Sequence, residues 1–109
     1  METVIETPAY LSSAKAEGMT EAEMFEAVTY VSNEPEAGVM IVGSGGCRKV
    51  RLAGKGKGKS GGYRAVTVYA PPRGVFLIAV LSKGSRANFS QAQVNAMAAL
   101  VKRLKAGAA

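Results

Sequence analysis

The chain has 109 residues, 48% of them hydrophobic, and a formal net charge of +6, which fits one compact domain and argues against a disordered tail. Its single cysteine, Cys47, excludes an internal disulfide, and the lack of His and Asp leaves almost no means of building a zinc or magnesium site, so neither a metal nor another cofactor is expected. The longest apolar run, Val75 to Leu81, is far below the roughly 20 residues needed to span a bilayer, and the N-terminus lacks a basic-then-apolar signal pattern; a soluble cytoplasmic protein with no membrane partner is expected.

Val4 to Glu6 reads as a short edge strand, after which Thr7-Pro8 offers a helix cap with proline at the first helical position, for a helix from Pro8 to Glu17. Gly18 can close that helix. Thr20 with Glu23 makes a capping-box pattern for a second helix, in which Phe25, Val28 and Val31 recur as a core face. Asn33 to Gly38 supplies a turn, and Val39 to Val42 a brief apolar segment that ends in the glycine-rich Gly43-Ser44-Gly45-Gly46.

From Cys47 to Ala53 the residues alternate, so Val50 and Leu52 share one face while Lys49 and Arg51 share the other. Gly54 to Gly62 reads as a cationic loop. A strand from Tyr63 to Tyr69, a Pro71-Pro72-Arg73-Gly74 turn and an apolar strand from Val75 to Leu81 follow, the two strands forming the buried centre of an antiparallel sheet. Ser90 with Gln93 caps a last helix carrying Val94, Met97, Val101 and Leu104 at core spacing. The expected architecture is α+β, an antiparallel sheet with two N-terminal helices and a C-terminal helix, the helices largely on one face and the other face open to a ligand.

Charge is segregated along the chain. All eight acids lie between Glu2 and Glu36, and thirteen of the fourteen bases between Arg48 and Lys105; from Arg48 to Arg64 there are seven bases and no acid. Such a run favours polyanions, although it can also be an ordinary solvated face. The stretch from Ala53 to Ser60 nearly spells a phosphate-binding loop, but that loop must open a helix whose amides hold phosphate, and here Gly61-Gly62 leads into a β-branched strand.

The run Gly43-Ser44-Gly45-Gly46-Cys47-Arg48-Lys49-Val50-Arg51, followed by Gly58-Lys59-Ser60-Gly61-Gly62-Tyr63-Arg64, resembles the central signature of RelE/HigB-type toxins of bacterial toxin-antitoxin systems, over about Pro35 to Lys105. The resemblance implies a RelE-like fold and a ribosome-dependent endoribonuclease that cuts messenger RNA in the decoding site without a metal. It also implies a cognate HigA-like, DNA-binding antitoxin. Lys49 and Arg51 match the family's paired basic positions, Arg64 its phosphate-stabilising arginine, and Lys83 or Arg86 a further base. Phe89 stands where some members carry a tyrosine, allowing base stacking but no hydroxyl chemistry. Arg48, Lys55, Lys57 and Lys59 are expected to grip RNA phosphates. Tyr63 and Tyr69 read as core aromatics, Cys47 as a buried inert thiol, and Arg64 could alternatively pair with Glu21, Glu23 or Glu26. Gyrase-directed ParE-type toxins share the fold, so a gyrase-binding toxin and a noncatalytic RNA-binding module stand as alternatives.

Overall fold

A computed structural model describes residues 1–54, 58–81 and 89–107, with backbone alone for 58–61. In chain order the elements are β1 (Val4–Glu6), α1 (Pro8–Ala16), α2 (Glu21–Asn33), β2 (Val39–Met40), β3 (Cys47–Gly54), β4 (Gly58–Ala70), β5 (Gly74–Leu81) and α3 (Gln91–Lys105). The strands form one sheet in the order β1-β5-β4-β3-β2. β1 runs parallel to β5, and the other pairs are antiparallel. The α+β class and the central place of β4 and β5 agree with the sequence reading.

Local chemistry sets the helix starts. The Thr7 hydroxyl accepts from the Tyr10 amide and donates to the Leu77 carbonyl at 2.9 Å, so one residue both caps α1 and ties it to β5. Both anticipated capping boxes form, Thr20 with Glu23 and Ser90 with Gln93. At the far end of α3 the Arg73 guanidinium donates to the Leu104 carbonyl at 2.7 Å and lies 5.1 Å from the Phe76 ring centre, a cation placed on the negative end of the helix.

Two cores flank the sheet. On one face Tyr10, Ala14, Ala27 and Val31 of α1 and α2 pack on Val50, Leu52, Ala65, Val75 and Leu77, with Tyr63 and Tyr69 against them. On the other, Val101 and Leu104 of α3 pack on Cys47, Val66, Val68, Phe76 and Ile78. Each fully buried Val, Leu, Ile or Phe side chain among these contributes about 1.5–3 kcal/mol. The expectation of helices largely on one face is thereby corrected: α3 covers part of the opposite face, because its apolar stripe needs a sheet surface of its own. In α2 the inward residues are Met24, Ala27, Val28 and Val31, so Phe25, expected in the core, is 74% exposed. The i, i+3, i+4, i+7 row outcompetes the row through Phe25.

A third correction concerns the expected loop from Gly54 to Gly62: β4 already begins at Gly58, and Gly54 pairs with Gly58 across a register shift between Leu52 and Gly54. Gly62 makes this shift sterically feasible, since a Cβ there would collide with the Leu52 carbonyl. No helix among the described residues is long and apolar enough to cross a membrane.

Tyr10 is fully buried and, among the described residues, its hydroxyl has no hydrogen-bond partner. Burial, with Glu6 adding to it, pushes its phenol up to about 12. The native state therefore keeps a proton that the unfolded chain releases near pH 10, and stability falls as pH rises from about 10 to about 12, by on the order of 3 kcal/mol. Tyr10→Phe should be neutral or stabilising by about 1 kcal/mol near neutral pH and should lose this alkaline decline. Urea unfolding at both pH extremes reads both effects, and an unchanged alkaline decline in the variant would assign it elsewhere.

Candidate active site

The pairing of β3 with β4 places Arg51 directly opposite Arg64, and Lys49 opposite Val66. Side chains alternate along a strand, so Lys49, Arg51 and Arg64 leave the sheet on the face that carries Cys47 and Val66, one step beyond the residues under α3. Arg51 is exposed, and Lys49 and Arg64 are half-buried. Like charges directly opposite across a ladder are destabilising, and a phosphate between two guanidinium forks would convert that repulsion into charge-assisted hydrogen bonds.

β2 pairs with β3 only at Val39 with Lys49 and Met40 with Arg48, so it does not accompany β3 past Lys49. Among the described residues, three adjoining cavities lie along this edge. The central one, about 460 Å³, is lined by Tyr30, Gly38, Val39, Lys49, Arg51 and Arg64 among others. Val39 and Lys49 also line a second, of about 370 Å³, with Met40, Val42, Phe89 and Val94. Tyr30 and Arg51 also line a third, of about 140 Å³, with Glu23 and Glu26. The groove thus runs from an apolar end, past three cations, to an acidic end.

Its walls are fixed from beneath. Glu23 is buried, and its Oε1 accepts from the Thr20 amide at 2.9 Å and from the Tyr63 hydroxyl at 3.0 Å. Burial first and this carboxylate second hold the Tyr63 phenol above its ordinary value. The bond locks α2 to the strand residue next to Arg64, on the opposite face. Gly38 has φ of +96°, and a Cβ there would strike the Lys49 carbonyl and lie 2.9 Å from Val50 Cγ2, so only glycine lets the chain pass this close to β3. In the turn between β2 and β3, the buried Ser44 hydroxyl donates to the Ile41 carbonyl at 2.6 Å and accepts from the Cys47 amide at 2.9 Å.

The structure therefore brings Lys49, Arg51 and Arg64 together, with Phe89 at the neighbouring cavity. Arg48 is not with them. It lies on the other face of β3 and donates to the Gly38 carbonyl at 3.2 Å, clamping the approach to β2. Lys55, Lys57, Lys83 and Arg86 lie outside the described residues, and of Lys59 only the backbone, in β4, is described. Cys47 is fully buried, and burial pushes its thiol up, as suits an inert core residue. The sequence reading missed Tyr30, which lies on α2 at no motif position and enters the site only through the packing of α2 on β3.

A family model described as the RelE toxin of the RelE / RelB toxin-antitoxin system matches residues 3–109. The opposed arginines predict anion binding by the isolated protein. Inorganic phosphate at ten times its dissociation constant should add about 1.4 kcal/mol to stability, and the gain should vanish in the double variant Arg51→Gln, Arg64→Gln. Thermal unfolding with increasing phosphate checks this; equal gains in both proteins would place the anion elsewhere.

Proposed function

The chain belongs to the RelE toxin family, and we propose that it is a ribosome-dependent endoribonuclease that cuts messenger RNA in the decoding site and so stops translation. As a toxin of a toxin-antitoxin system it has an antitoxin partner; we take that partner to be a HigA-like DNA-binding protein, and the site of action to be the cytoplasm. The observation that carries the reading is the convergence of Lys49, Arg51 and Arg64 on one cavity, with two of the three directly opposed across the ladder.

Cleavage proceeds by attack of the ribose 2′-oxygen on the adjacent phosphorus. Lys49 is the candidate base for the 2′-hydroxyl proton, with Lys83 as a second candidate. Arg51 and Arg64 hold the nonbridging oxygens as charge accumulates on them, a task for which a fixed fork of donors is suited. The P–O5′ bond then breaks, leaving a 2′,3′-cyclic phosphate and a 5′-hydroxyl. Phe89 and the apolar cavity beside Lys49 offer a stacking surface for a base, and Lys55, Lys57, Lys59, Arg48 and Arg86 are assigned to ribosomal RNA phosphates.

Primer extension on a defined message in a purified translation system, with and without ribosomes, tests the reading. Wild-type protein should cut at decoding-site codons only when ribosomes are present. Arg64→Ala should cut about 10²–10³-fold more slowly while still binding ribosomes at low salt. An intact message with wild-type protein would contradict the proposal. Gyrase poisoning without cutting would then select the ParE-like reading, and normal growth on strong expression the noncatalytic one.

A further inference from the structure

In-line cleavage needs an acid for the departing 5′-oxygen as well as a base for the 2′-hydroxyl. Arg51 and Arg64 cannot supply the proton, because a guanidinium is not deprotonated in proteins. Phe89 has no hydroxyl. Tyr63 donates to Glu23, and neither it nor Tyr10 or Tyr69 is among the lining residues of the central cavity. Among the described lining residues of the central cavity, only Lys49 and Tyr30 carry a side-chain proton that can be transferred, and Lys49 is the base in the reading above.

We propose that Tyr30 is a catalytic residue of this site, the general acid that protonates the leaving 5′-oxygen. The assignment rests on the endoribonuclease reading above. Tyr30 lies on α2, so it faces the cavity from a different wall than the cations of β3 and β4. It is half-buried, packed against the α1/α2 core, and lines both the cationic and the acidic cavity. Its helix is anchored on either side of it. Glu23 is bound to Thr20 and Tyr63, and Ser32 donates to the Glu2 carbonyl at 2.7 Å. A phenol held in this way is a preorganised donor.

The step balances. As the P–O5′ bond breaks, its electron pair passes to O5′, the phenolic proton of Tyr30 moves to that oxygen, and the phenolate recovers a proton from water. The acidic neighbours Glu23 and Glu26 disfavour a further phosphate beyond Tyr30, so the scissile phosphate is the last one the groove accepts at that end.

Single-turnover cleavage of ribosome-bound message by wild type and Tyr30→Phe tests the assignment, using a normal linkage and one with sulfur as the bridging 5′ atom. A thiolate leaves without protonation. Tyr30→Phe should cut the normal linkage about 10²-fold more slowly, bind ribosomes as wild type does, and regain the wild-type rate on the sulfur linkage. The ratio of the two rates is read within each protein, so a loss of folded protein cancels. A wild-type rate on the normal linkage, or an equal deficit on both linkages, would overturn the assignment. The latter result, together with loss of binding in Tyr30→Ala, would make the ring a stacking platform. Failure of wild type to cut either linkage would instead bring down the endoribonuclease reading, and this assignment with it.

Discussion

Two arginines, Arg51 and Arg64, stand directly opposite one another on adjacent strands, and the surrounding structure holds that register. The register of β3 on β4 is set by what lies on the other face: Val50 opposite Ala65 and Leu52 opposite Tyr63, all packed under α1 and α2. A slip of one residue would bury Arg51 and expose Leu52, so the hydrophobic core enforces a like-charge pairing that the arginines themselves oppose. The core and the candidate site are not separable here: the residues that stabilise one face of a strand aim the cations on the other.

The charge segregation seen along the chain becomes a segregation in space with one informative exception. α2 carries Glu21, Glu23 and Glu26 while β3 and β4 carry Arg48, Lys49, Arg51 and Arg64, but Glu23 and Glu26 line one cavity together with Arg51 at one end of the groove. That arrangement gives the groove a polarity. Its apolar end, with Phe89, Met40 and Val42, suits a base; its centre suits a phosphate; its acidic end repels a second one. The same end of α2 is joined through Glu23 to Tyr63, so the helix that supplies the acidic boundary is fixed to the strand that supplies Arg64.

Much of this was legible in the residues. The caps at Thr7, Thr20 and Ser90, and the alternation that pairs Lys49 with Arg51, depend on local rules and formed as read. What was not legible depended on tertiary packing. An amphipathic stripe says that α3 buries Val101 and Leu104 but not which sheet face receives them. The glycines and lysines from Gly54 to Gly62 have loop composition, yet the ladder with β3 draws Gly58 onward into a strand. Arg48 follows the same basic run as Lys49, but strand alternation turns it to the other face, where Gly38 takes its hydrogen bond. Tyr30 carries no motif and is revealed only by the cavity it shares with the cations.

The central claim is that the three cations serve an attack by the RNA's own 2′-oxygen. Mapping the chemical ends of the fragments released from ribosome-bound message tests it most directly, alongside a message bearing a single 2′-deoxynucleotide immediately before the cut. The account predicts 2′,3′-cyclic phosphate and 5′-hydroxyl ends, and no cut at the deoxy position. Ends bearing a 3′-hydroxyl and a 5′-phosphate, or undiminished cutting at the deoxy nucleotide, would contradict it.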